Sequence, residues 1–303
     1  MKRLFGLFLV TLMAAPASAQ VVVDGTRDGA YGPALALQTV QTQFGDANPN
    51  GGSEMDAGYG LIQGGRLYLM LTGNIENNFN KLEIFIDSKA GGQAVFDSSG
   101  NDNAQVMDGL VFDAGFTADF HVIARRGSDG SGPKFDLDFA DLGAQTASGY
   151  FDFLGGGGDS GFGSTGTGVN AFPINAGYDG SNTAGVTGGT GAADQNAAAA
   201  VTTGLELSFD LADLDYVGGP INVMVGQNNG DHNFWSNQFL GGLPAPQGNL
   251  GGDENGGFTG EGAINMNNFG GNQFFTVIPE PSALALAGLA GFGMVVSRLR
   301  RMK

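Results

Sequence analysis

The body of this 303-residue chain is predicted to be all-β, a β-sandwich or jelly roll, on three observations. Short apolar stretches alternate with period two, the signature of a strand with one face inward. Gly, Asn and Asp turns punctuate them, with 55 glycines in a chain only 14% charged. No segment between the two chain ends sustains a helical period. About a dozen short strands separated by such turns indicate two packed sheets.

Val21 to Val23 starts the body as a short strand, and Asp24-Gly25 and Asp28-Gly29 are turn dipeptides. Ala34 to Thr42 alternates, with Leu35, Leu37 and Thr39 on one face. Residues 45–53 form a loop. Ala57 to Ile62 is a strand, broken at Gln63-Gly64-Gly65. Arg66 to Thr72 is a continuous apolar run, hence a buried strand. Lys81 to Asp87 sets Leu82, Ile84 and Ile86 against Glu83 and Phe85.

Further strands are expected at 109–112, 120–125, 134–139, 150–154, 205–209, 221–225 and 273–278, with a single helical turn at 211–214. Residues 155–203 differ. They are rich in Gly, Ala, Ser and Thr and contain no Lys or Arg, so they read as a long Gly-rich loop insertion, with a short strand at Val169 to Ile174. The strand pattern resumes afterwards, so one body spanning 20–276 is expected. A split into two domains near 155–200 is the alternative.

The two ends are targeting segments. Lys2 and Arg3, the apolar run Leu4 to Met13 and the small residues Ala17-Ser18-Ala19 make a signal helix over 1–19, cut after Ala19. Residues 277–303 read Val-Ile-Pro-Glu-Pro-Ser, then an apolar run, then Arg298, Arg300, Arg301 and Lys303 as a basic stop. Basic residues hold their flank on the cytoplasmic side of a membrane. The apolar run Ala283 to Val296 holds about 14 residues, short of the roughly 20 of a full span. Such a marginal transmembrane helix suits a temporary anchor; a permanent tail anchor is the alternative.

Pro279-Glu280-Pro281, the apolar run and the basic stop together resemble the PEP-CTERM sorting signal of bacterial exported proteins, a segment also called the ice-binding protein C-terminal domain. The resemblance implies an exosortase-type processing protease as partner, cleavage near Pro279, Glu280 and Pro281, and anchoring in the inner membrane before processing. The destination it implies is the cell surface or extracellular matrix of a Gram-negative-type bacterium.

Charge excludes one class of function. Six of the 13 basic residues and one of the 30 acids lie in the two ends, so the exported part keeps seven basic and 29 acidic side chains. Phosphate binding needs the opposite sign, which excludes nucleic acid as a partner. The chain has no cysteine, so thiol catalysis and Cys-based zinc sites are excluded.

Candidate sites are few. Asp97, Asn101 and Asn103 place oxygen donors at alternate positions, as calcium coordination requires, although Asp102 stands where a helix-loop-helix calcium loop needs glycine. A solvated Asp/Asn turn is the other reading of this stretch. Trp235 is the one tryptophan and the candidate sugar platform, with a core or loop anchor as alternative. His121 reads as structural. His232 is a candidate for metal binding or acid–base work. No Ser-His-Asp order, nucleophile elbow or phosphate loop is present, so no enzymatic activity is expected.

Several body segments together resemble a family 9-like carbohydrate-binding module. These are Asp24-Gly25-Thr26 through Gly32, Asp56 to Tyr59 with Gly65 to Leu69, Phe85-Ile86-Asp87 with Gly91-Gly92, and Gly204 to Phe209 with Leu211, Asp213 and Leu214. Residues 233–251 are similar to a set of PEP-CTERM proteins with this body. The resemblance implies a sandwich that binds extracellular polysaccharide. A purely structural matrix component, or a polysaccharide-active enzyme, are the alternatives.

Overall fold

The strands predicted from alternation fold into two antiparallel sheets in the computed structural model, which describes residues 20–45, 52–154, 160–258 and 264–279. The signal helix and nearly all of the sorting segment lie outside the described residues. Among the described residues, no helix is long and apolar enough to cross a membrane.

The first sheet has the order β1-β2-β3-β10-β9-β8. Its strands are β1 (Ala36–Leu37), β2 (Glu54–Gln63), β3 (Arg66–Asn74), β8 (Ser160–Ser164), β9 (Asn175–Asp179) and β10 (Gly204–Asp210). The second has the order β12-β11-β4-β5-β6-β7. Its strands are β4 (Lys81–Asp87), β5 (Phe120–Asp129), β6 (Gly132–Asp141), β7 (Thr146–Tyr150), β11 (Ile221–Asn228) and β12 (Trp235–Leu240). β13 (Phe275–Val277) pairs with Ile221, Asn222 and Val223, beside β12 on the same edge of β11.

Period-two alternation decides which side chains fill the sandwich. Leu67, Leu69 and Leu71 of β3 and Leu205 and Leu207 of β10 meet Leu82, Ile84 and Ile86 of β4 and Phe120 and Val122 of β5 in one buried cluster. Each such side chain contributes roughly 1.5–3 kcal/mol by leaving water. The outer face of the second sheet is not solvated. Residues 88–118, 241–258 and 264–269 fold over it, and Phe85, Phe96, Met107, Phe112 and Trp235 form a second apolar layer there.

Several expectations are corrected. Residues 109–112 form no strand; Val111 makes only isolated bridges to Val95 and Asn265, because this segment covers a sheet face. The strand expected at 150–154 lies earlier, at β7, and that expected at 34–42 shrinks to β1. Val169 to Ile174 is not a strand, and Leu211 to Leu214 forms a turn.

The Gly-rich stretch is not simply a loop. It supplies β8, β9 and the short helix α1 (Gln195–Ala200), capped by Asp194 Oδ1 accepting from the Asn196 and Ala197 amides. Ile174, Ala176 and Tyr178 recur at period two and are buried in the main core. Glycine there permits close packing: a Cβ on Gly177 would sit 2.5 Å from the backbone of Asp24 and Gly25. Small residues serve backbone approach as well as flexibility.

Candidate functional site

The outer face of the second sheet carries ionisable side chains in register. Lys81 and Glu83 point outward from β4, His121 and Arg125 from β5, and Asp136 and Asp138 from β6. The pairing sets Lys81 opposite Arg125 and Phe85 opposite His121. The β11–β12 turn brings in His232, and a 3-10 segment, Asn101–Met107, brings in Asp102.

Glu83 is fully buried and joins the two histidines of the chain. Its Oε1 lies 2.6 Å from His232 Nδ1 and its Oε2 2.8 Å from His121 Nε2. The His121 ring stacks on Phe85 at 4.5 Å. Burial raises the Glu83 carboxyl, but the charge of His232 and hydrogen bonds from both rings outweigh it and hold Glu83 well below the usual carboxylate range. Burial lowers His232, yet the Glu83 charge and hydrogen bonds to Asp102 and Glu83 push it up to about 9. His232 Nδ1 donates to the Glu83 carboxylate, and its Nε2 lies 2.9 Å from the Asp102 carbonyl.

Asp102 gathers the cations. Its Oδ2 lies 2.8 Å from Lys81 Nζ, 2.9 Å from Arg125 Nη1 and 3.3 Å from His232 Nε2. Lys81 Nζ also lies 2.8 Å from His232 Nε2, and its charge opposes the rise of His232. Burial raises Asp102, while its hydrogen bonds from His232 and Lys81 and the Arg125 charge bring it down to about 2. Arg125 also pairs with Asp138, and with Asp136 at 3.5 Å. Burial nevertheless leaves Asp138 raised.

Above this buried cluster lies an open cleft of about 380 Å³. Lys81, Asp102 and His232 line it together with Asn103, Gln105, Val106, Gly230, Asp231 and Asn233. Asn103, Gln105 and Asp231 are exposed donors and acceptors. Asp102, Asn103 and His232 all have left-handed φ, at 48°, 61° and 58°. Asp, Asn and His tolerate that region better than most residues, and strained backbone concentrates where a site is held open. Beside the cleft in sequence, Phe234 stacks on the exposed Phe258 at 4.3 Å and on Phe44 at 6.3 Å.

The predicted site residues are dispersed. Asn103 lines the cleft. Asp97 is tied elsewhere: its amide donates to Gln93 Oε1 at 2.8 Å, and its carbonyl accepts from Gln93 Nε2 at 2.9 Å. Asn101 directly precedes Asp102. Among the described residues no three His, Asp or Glu side chains converge as metal ligands. Trp235 is corrected from sugar platform to core: it is 2% exposed and lies 5.3 Å from the Phe239 ring. Ala19, Glu280, Pro281, Arg298, Arg300, Arg301 and Lys303 lie outside the described residues, and Pro279 follows the end of β13 by two positions.

Sequence reasoning gave Lys81, Glu83 and Arg125 no site role and met Asp102 only as a misfit to a calcium loop. The signal was present: two neighbouring strand candidates each carry ionisable residues at period two opposite an apolar face. Further carboxylates are buried elsewhere, Glu206 and Asp56 among them. Burial pushes Glu206 up to about 7, although Tyr31 Oη donates to it at 2.8 Å and the Asp24 and Gly25 amides donate as well. Burial likewise pushes Asp56 up to about 7, beside Glu54 on β2. Asn182 Nδ2 donates to both, at 2.8 Å to Glu54 and 3.3 Å to Asp56.

Residues 277–301 match the PEP-CTERM protein-sorting motif. No curated protein and no solved structure matches the chain. The motif marks an exported protein, sorted through an exosortase-type partner to the cell surface or extracellular space of a Gram-negative bacterium.

Proposed function

We propose that the sandwich is a non-enzymatic carbohydrate-binding body of a cell-surface or matrix protein, and that the cleft over Lys81 and His232 receives the sugar. The observation that carries this reading is the cleft rim. Asn103, Gln105, Asp231 and Asn233 offer amide and carboxylate groups around one opening, and such planar groups pair with vicinal hydroxyls. The volume, about 380 Å³, falls at the small end of ligand pockets. The exposed face of Phe258 supplies an apolar surface for sugar C–H groups.

The floor supports binding without catalysis. His232, Lys81, Arg125 and Glu83 spend their polar atoms on one another and on Asp102, which fixes the rim. Membrane anchoring before processing, with Arg298, Arg300, Arg301 and Lys303 as the stop, belongs to the same reading. A purely structural matrix role is the second reading, and the same ion cluster favours it, since the cluster ties three strands to the covering segments whether or not a ligand binds. A glycan array probed with the secreted protein separates them. Binding that is lost in both Asn103→Ala and Asp231→Ala, at unchanged melting temperature, supports the first. Absence of binding to every glycan leaves the structural role.

A further inference from the structure

The sorting motif begins inside the fold. Val277, its first residue, is the last residue of β13 and is fully buried. It pairs with Ile221 of β11, and its side chain occupies the space that a Cβ on Gly60 of β2 would need. Ile278 is 72% exposed, and Pro279 starts the Pro-Glu-Pro segment immediately afterwards. One exposed residue thus separates the folded body from the residues that carry the sorting signal.

A protease holds its substrate as an extended strand over several residues, using the backbone amides and carbonyls for its own pairing. The residues on the amino side of Pro279 are Phe275, Thr276, Val277 and Ile278, and the first three already pair with β11. Their groups cannot serve β11 and the protease together. We infer that β13 must peel from β11 before the sorting protease can engage the motif, so that strand opening gates processing. The partner surface is the backbone of β13 itself, read as a free strand by the sorting protease.

The element suits that role. β13 has three residues, pairs on one side only, and ends the described body. Short terminal segments open at far lower cost than the strands of a core. When opening and closing are fast, cleavage tracks the population of the open form. The inference rests on the sorting reading and is independent of any sugar ligand.

The test locks the strand. Asn222 and Thr276 face each other in register, with Thr276 Oγ1 2.8 Å from Asn222 Oδ1. The chain has no cysteine, so Asn222→Cys with Thr276→Cys gives two thiols with only each other as partner. Processing of the full-length chain is followed in cells by intact mass of the C-terminus after a pulse of synthesis. The oxidised pair should be cut at least tenfold more slowly than wild type, and reductant should restore the rate. Eight Gly/Ser residues inserted between Ile278 and Pro279 should also restore cutting in the oxidised pair, because they supply extended chain outside the fold. Cutting of the locked protein at the wild-type rate overturns the inference. So does a locked protein that the linker fails to rescue. A wild-type chain that is never cut removes processing itself, and the gate with it.

Discussion

His232 Nδ1 donates to Glu83 Oε1 across 2.6 Å, joining two residues 149 positions apart. The contact ties the β11–β12 turn to the centre of the second sheet, and the cleft wall stands on it. Removing one member of such a pair leaves a buried charge with no counterion. Glu83→Ala is therefore expected to lower unfolding stability by about 3–5 kcal/mol. Urea unfolding of the exported body checks this; a loss under about 1 kcal/mol, the range of an exposed pair, would place the cluster outside the stabilising core.

The same pair sets a pH dependence. His232 is raised from 6.5 to about 9 in the folded state. Its contribution is complete below the unfolded value and is lost as pH rises through the folded one. The amount is on the order of 3 kcal/mol. Glu83 is depressed, so its contribution holds above its ordinary value and fades only on strong acidification. Asp56 and Glu206 are raised to about 7, and their burial as anions costs stability as pH climbs from about 4 to 7. Urea midpoints of wild type should keep falling from about pH 8 to 10, above the range of Asp56 and Glu206, while those of His232→Gln should be lower and flat over that window. Equal slopes for the two proteins would show that His232 is not the titrating group.

Much of this fold is legible in the sequence because alternation reports which face of a strand is apolar. Leu82, Ile84 and Ile86 were separable from Glu83 and Phe85 on that ground alone, and they do fill the sandwich. Alternation does not report what covers the other face. Glu83 sits on the polar side of a strand that reads as half solvated, yet the chain from 88 to 118 buries it. The cleft was illegible for the same reason, since Lys81, Asp102 and His232 come from separate segments and only the tertiary fold makes them neighbours. Asp102 stood out only as a misfit to a calcium loop, and the geometry explains the misfit: its carboxylate turns inward to Lys81 and Arg125.

Trp235 separates packing from binding. Its ring is buried against Phe239 and lies close to Gly226, where a Cβ would come within 2.7 Å of Cζ3. Trp235→Ala is expected to cost about 3–5 kcal/mol of stability, as large-to-small core changes do. Any glycan affinity, measured on the fraction that remains folded, should stay within about twofold of wild type, a shift of under 0.5 kcal/mol. A stable variant with abolished glycan binding would return Trp235 to the role of platform and displace the cleft.

Gly60 offers a route to the β13 gate from outside the sorting motif. A methyl group there would collide with Val277 Cγ2. The collision is relieved if Val277 turns or if β2 or β13 moves, and β13 is the shorter and less paired of the two strands. Gly60→Ala should therefore lower stability by about 1–3 kcal/mol, the usual cost of overpacking. It should also speed processing, because part of that cost favours the open strand. Val277→Ala alone confounds the two effects, since Val277 belongs to both the core and the motif. Adding it to Gly60→Ala makes room for the new methyl, so the double variant should be more stable than Gly60→Ala and be cut more slowly. Processing rates are read by intact mass and stabilities by urea midpoint. If Gly60→Ala lowers the midpoint while the cutting rate stays at the wild-type value, the strand is not what the protease waits for.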